Sequence, residues 1–216
     1  MPVSEKEQQE INTLVRRFEA QTGIEAVAAI VDKADFYPEI PWKAYAIGSA
    51  LGALAAVAFP FLLTDWSAAW TLAFTAMAIL GIGASCAAAT ALAPSFGRLF
   101  LDRIRAQAEV RQYAIGVFVE REVFRTSGRN AVLMLLARFE RAAVILPDSG
   151  LATYAPAAEL DRIAARMREI AAAEDAIAAF RAGLEALSVL IREHGYSPAA
   201  APENTLDDSV VAESGA

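Results

Sequence analysis

The sequence predicts an α/β protein in which a small sheet covered by helices is interrupted by a two-helix transmembrane hairpin. Three observations lead there. Two long apolar runs, 44–63 and 67–93, flank the short polar break Thr64-Asp65-Trp66. Three short apolar runs, AVAAIV, AVLMLLA and AAVILP, have strand length and lie among longer segments with apolar residues at helical spacing. The chain has 216 residues, 56% of them hydrophobic, yet all of its charged residues lie outside the two long runs.

The first long run has about the 20 residues a helix needs to cross the hydrocarbon core, and the second is longer. Neither contains Lys, Arg, Asp or Glu, so no charge would be desolvated in lipid. The break is too short to hold a domain, so the runs turn back on each other. A pair of buried helices in a soluble protein is the alternative. It needs a larger surrounding protein than the roughly 160 residues left over. Gly48 and Gly52 form a G-x-x-x-G, and Gly81 with Ser85 repeats the small-residue spacing in the second run. Packing of the hairpin on itself is preferred to a homodimer contact as the use of these faces. Cys86, the single cysteine, lies in the second run and is read as a packing residue.

Orientation follows from the basic residues. Lys33 and Lys43 precede the hairpin and Arg98, Arg103 and Arg105 follow it, while the break has none. This predicts a multi-pass protein of the bacterial inner membrane with both termini cytoplasmic. Trp42 and Tyr45 at one interface, and Trp66 and Trp70 at the other, fit aromatic anchors. Residues 1–21 are charged and helical in pattern, unlike a signal peptide.

In chain order, Ser4 and Glu7 have capping-box spacing, and Ile11, Leu14, Val15 and Phe18 follow as a stripe, giving a helix over about 4–21. The run 26–31 reads as a strand buried on both faces. Residues 32–41, with two prolines, read as an irregular connector. Pro94 opens a long helix whose face is Phe100, Ile104, Val110, Ala114 and Phe118, ending near Val123. Residues 125–130 read as a loop, and 131–137 and 142–147 as a β-hairpin around a four-residue turn. Pro156 starts a helix with Leu160, Ile163, Met167 and Ile170 on one face. A second stripe, Ile177, Phe180, Leu184, Leu187 and Ile191, runs to Gly195. Residues 197–216, rich in Ala, Pro and acidic residues, are expected to form a mobile tail. The strand pieces on either side of the apolar hairpin are too few to stand alone, so 1–41 and 94–196 are expected to form one cytoplasmic domain interrupted by 42–93.

Residues 22–37 (TGIEAVAAIVDKADFY), residues 122–151 and the ending EHGYSPAAAPENTLDDSV resemble the TPM domain family. Thr22 and Glu25 fit its first motif, and Asp35 and Tyr37 its second. Arg125, Thr126 and Arg129 fit the third, Glu140 and Arg141 the fourth, and Asp148 and Gly150 the last. Asn130 and Ala131 stand where Thr-Gly is usual, and Ala34 replaces a Ser. The resemblance implies an α/β fold with an inserted membrane hairpin. For function it implies an acid phosphatase in some members, an assembly or repair factor for membrane complexes in others, and calcium binding in some.

The formal charge of −7 disfavours nucleic acid as a partner. Asp148, Asp35 and Asp32 are the candidate carboxylates for calcium or another divalent cation, since hard cations take oxygen ligands. The bland reading, preferred here, has Asp148 capping a turn and Asp35 solvated. Arg125, Arg129, Arg138 and Arg141 bracket one strand, as an anion or partner contact or, in preference, as a rim paired with Glu122 and Glu140. Ser149 has no evident base, because His194, the single histidine, ends a helix. The leading expectation is a non-enzymatic, membrane-tethered binding or assembly factor. Its partners would be the bilayer, other membrane proteins and a second copy of the chain. The runner-up is a metal-dependent phosphatase.

Overall fold

Strand β2 (Ala131–Ala137) has no polar residue, and all seven of its residues are buried. Such a strand needs a partner along each edge and a cover on each face. Along one edge it pairs in parallel with β1 (Glu25–Val31), in register from Glu25↔Ala131 to Val31↔Ala137. Along the other it pairs antiparallel with β3 (Ala142–Pro147), from Val132↔Pro147 to Ala137↔Ala142. A three-residue strand, β4 (Val211–Glu213), lies parallel to β1, so the sheet order is β3-β2-β1-β4. This computed structural model describes residues 4–58, 68–173, 175–197 and 211–213.

The pleat sends alternate side chains to opposite faces. On one face Ile30, Val132, Met134 and Leu136 join a core with three helices. These are α1 (Glu5–Thr22) through Ile11, Val15 and Phe18, α6 (Ala157–Ala173) through Leu160 and Met167, and α7 (Ala176–Glu193) through Phe180, Leu187 and Ile191. Ser4 caps α1 by accepting the Glu7 N–H, and Asp175 caps α7 by accepting the Ala178 N–H. On the other face Val27, Val31, Leu133 and Leu135 pack with Val110, Ala114 and Val117 of α5 (Arg103–Glu120). The result is a mixed four-stranded sheet with helices on both faces, as the apolar strand runs required.

The chain divides into two compact units, residues 1–35 with 103–216, and residues 36–102. The second unit is built from α2 (Glu39–Ala58), α3 (Ala68–Leu92) and the single turn α4 (Pro94–Gly97). Helices α2 and α3 are each long and apolar enough to cross a membrane. The expected break at 64–66 and the last residues of the first run lie outside the described residues.

Three expectations change. The helix expected to run from Pro94 to Val123 is broken: after α4 come a 3-10 turn at Arg98–Phe100 and an extended Leu101, and only then α5. Its inward face is Ala106, Val110, Ala114 and Val117, whereas Ile104 is 83% exposed. Small alanines, not the bulkier residues, allow the helix to sit close on the sheet. The connector at 32–41 is shorter than expected, because α2 already begins at Glu39 with Pro41 in its first turn, where no intrahelical N–H is needed. Finally, residues 211–213 of the expected tail form β4, with Val211 buried against the second core.

Candidate functional site

The parallel pairing of β1 and β2 decides which candidate residues meet. At one end of the sheet lie the start of β1, the start of β2 and the end of β3. At the other lie the end of β1 and the β2–β3 turn.

Asp148 occupies the first end. Its N–H donates to the Ala131 carbonyl at 2.8 Å, which fixes it beside the start of β2, and it is only 4% exposed. Its Oδ1 accepts the Ser149 N–H at 2.6 Å and lies 3.3 Å from Arg129 Nε. That Nε is also 3.3 Å from Ser149 Oγ, while Arg129 Nη1 donates to the Phe124 carbonyl at 3.2 Å. The guanidinium stands 5.8 Å from the Phe124 ring centroid. Arg129 adopts φ 58, a left-handed conformation uncommon outside glycine, so its position is held by these contacts and not by backbone preference. Gly150 closes the cluster: its N–H donates to the Arg129 carbonyl, and a Cβ there would overlap the Gly128 carbonyl oxygen.

Two buried oxygens at this end, Asp148 Oδ2 and Thr126 Oγ1, have no hydrogen-bond partner among the described residues. A buried acceptor left unsatisfied costs on the order of 1–3 kcal/mol, more when charged, so the loop cluster is open to a polar occupant.

Asp32 and Asp35 lie at the opposite end. Asp32 follows the last residue of β1, roughly 20 Å along the strand at about 3.3 Å per residue. Asp32 Oδ1 is 3.4 Å from Arg138, which also reaches Glu7 at 3.1 Å. Asp35 pairs with Arg105 at 3.0 Å, and Arg105 with Glu109 at 3.5 Å. The expected carboxylate trio therefore does not converge, and a three-carboxylate cation site does not fit. No group of three His, Cys, Asp or Glu side chains among the described residues is placed to hold a metal.

The four arginines separate in the same way. Arg125, paired with Glu122, and Arg129 stand at the Asp148 end. Arg138 and Arg141 belong to the β2–β3 turn, where Arg141 takes φ 49. They cannot form one anion pocket, and the ion pairs of Arg125 and Arg138 are those of a paired rim. In the turn, Glu140 Oε1 accepts the Ala34 N–H at 2.9 Å and ties the chain leaving β1 to the hairpin. His194 has its Nδ1 3.0 Å from the Leu190 carbonyl of its own helix.

In the second unit the small residues act as spacers. A Cβ on Gly48 would lie 2.8 Å from Cys86 Sγ, and one on Gly52 would overlap the Ala78 carbonyl. The matching glycine in α3 is Gly83, which faces Tyr45 and Ser49, and not Gly81, which has open space around it; Ser85 is exposed. Leu51, Leu54, Val57, Leu72, Met77 and Leu80 point outward and are more than half exposed. Lys43 Nζ donates to the Phe100 carbonyl at 3.2 Å, joining the start of α2 to the turn after α4.

Residues 99–190 match the model of the TPM domain. That stretch supplies α5, β2, β3, α6 and most of α7 of the first unit. No curated protein matches the chain. Among solved structures, the NMR structure of BA42 protein from the psychrophilic bacterium Bizionia argentinensis superposes with a TM-score of 0.54 at 11% identity, over 98% of this chain and 94% of that one. At that identity the likeness is one of fold.

Proposed function

We propose that the chain is a membrane-tethered binding factor that assists the assembly or repair of other membrane or envelope proteins. One observation supports the tether above all: the α2–α3 pair is small inside and bulky outside. Gly48, Gly52 and Gly83 face inward, while Leu54 and Leu72, 67% and 73% exposed, face outward. In water such a surface would be a large exposed apolar patch. In lipid it has no hydration cost, and close backbone approach through small residues is how membrane helices associate. Basic residues flanking the spans favour the bacterial inner membrane with both termini cytoplasmic. The α/β unit carries charge pairs such as Arg125–Glu122 and Arg138–Glu7, which suits recognition. Crosslinking and affinity purification of the full chain from native membranes tests this. A discrete set of membrane or envelope proteins should be enriched, and enrichment of none beyond a non-specific membrane control overturns it.

A second reading, hydrolysis of phosphate esters, is favoured by the unsatisfied Asp148 Oδ2 beside Arg129 and Ser149. Turnover of a chromogenic phosphate ester, with and without divalent cations, that is abolished in Asp148→Asn supports it. Absence of turnover, or turnover unchanged in that variant, removes it.

A further inference from the structure

The outer edge of β1 is closed by two small pieces of chain. The odd residues of β1 turn their backbone groups to β2: the Glu25 N–H donates to the Asn130 carbonyl, and the Val31 carbonyl accepts the Arg138 N–H. Successive residues of a strand address opposite edges, so Ala26, Ala28 and Ile30 present their N–H and C=O groups to the outer edge. The Glu19 side chain takes the Ala26 N–H. Strand β4 takes the far end, in parallel register from Ala29↔Val211 to Val31↔Glu213. Between these two, Ala28 has no strand partner on this edge among the described residues.

Strand β4 is attached the way a bound peptide is. Residues 194–210 separate it from α7, and its three residues stand at the short limit of strand length. Val211 is its anchor, 3% exposed and packed in the core that holds Val27, Ala29, Val31 and Val110. Ala212, the next residue, is exposed. Backbone hydrogen bonds plus one seated side chain are the means by which a sheet edge captures an extended peptide. An edge of this kind, left open, invites pairing with another chain.

We propose that this edge is a peptide-binding site: it takes an extended segment of another protein in parallel with β1, and β4 is the built-in competitor that covers it. The seated segment defines the chemistry of the occupant. An apolar β-branched residue stands beside the small Ala29, and the following side chain faces out. A charge at the first of these positions would be buried among apolar side chains without a partner and is excluded. The same segment from a second copy has no advantage over the chain's own, which is tethered and therefore present at high effective concentration. A foreign segment gains by continuing to Ala28, and the Glu19 contact at Ala26 sets its limit in that direction. The site gives the binding factor proposed above its ligand class and rests on that reading for its role in the cell.

The test uses the full chain in detergent, and its probe is a fluorescent peptide of residues 207–214, DDSVVAES. Val211→Asp in the chain withdraws the competitor. That variant should bind the probe at least about tenfold more tightly than the unsubstituted chain, whose tethered segment competes. A control peptide with Asp in place of its Val211 should not bind. Val211→Gly removes the anchor without burying a charge and should show the same gain, so the comparison stands if the Asp variant does not fold. A photoreactive group beside the peptide's Val211 should label residues 28–31. Equal affinity of the unsubstituted chain and the variants, no binding to either variant, or labelling elsewhere overturns the proposal. So does a protein mass of two chains that falls to one in Val211→Asp, which would give the edge to a second copy. These outcomes read peptide capture alone, so they are distinct from a failure to enrich membrane or envelope proteins.

Discussion

The Glu19 carboxylate accepts the backbone N–H of Ala26 at 2.8 Å, so a side chain from α1 stands in for a neighbouring strand at the edge of β1. Strand β4 pairs only with Ala29–Val31 on that edge. Ala26 lies beyond its reach and is buried, so its N–H needs another acceptor. Glu19→Ala should lower stability by about 1–3 kcal/mol, the cost of an orphaned buried donor. Glu19→Gln keeps an acceptor oxygen at the same reach and should lose less. Denaturant unfolding of both variants in detergent checks the ordering; equal losses would mean that the carboxylate does not cap the edge.

Leu135 is fully buried, and the strand carrying it is covered on both faces. Leu135→Asp places a carboxylate where no cation or donor awaits it. The cost, on the order of 5 kcal/mol, is comparable with the whole stability of a domain. Loss of protease resistance between residues 103 and 193 is the expected readout. Retained resistance would mean that this face opens to water.

The α2–α3 crossing makes a sharper prediction. Gly52→Leu must push α2 off the Ala78 carbonyl, whereas Gly81→Leu enters open space. The first should separate the helices, and the second should be tolerated. Disulfide formation between a cysteine at Ser49 and the native Cys86 would report the separation. Equal behaviour of the two variants would place the contact elsewhere.

The proposed orientation is tested by reporters. Fusions at both termini should report cytoplasm, and one inserted at Asp65 the opposite side, because Lys43, Arg98, Arg103 and Arg105 flank the spans and the break carries none. An external C-terminus would overturn it.

The strands were legible because AVLMLLA and AVAAIV carry no polar residue, and only a doubly covered strand tolerates that. The phase of α5 was not. Ala106 and Ala114 face the sheet while Ile104 faces solvent, and apolar character alone ranks them the other way. The same holds for Gly81 and Gly83, two residues apart on a helix, of which only the second meets α2. At the candidate site, Asp148 and Asp32 both follow strands, and their common surroundings in sequence suggested a cluster. Strand direction separates them: β1 runs parallel to β2 and β3 antiparallel, so the two strands end at opposite ends of the sheet. The Arg129–Asp148 pair was hidden because it joins two loops whose shapes rest on Gly128 and Gly150.

The pairing of Glu25 with Ala131 has a consequence for biosynthesis. A ribosome adding about 5–20 residues per second needs roughly 5–20 s to travel from one to the other. In that interval both apolar helices emerge, while β1, seven residues with no apolar partner beyond α1, waits beside the translation machinery. Under the proposed tether, membrane integration precedes closure of the sheet in time. On that reading a delay at insertion prolongs the exposure of an aggregation-prone strand, and the yield of native protein should depend on insertion capacity although the strand itself lies in the other unit.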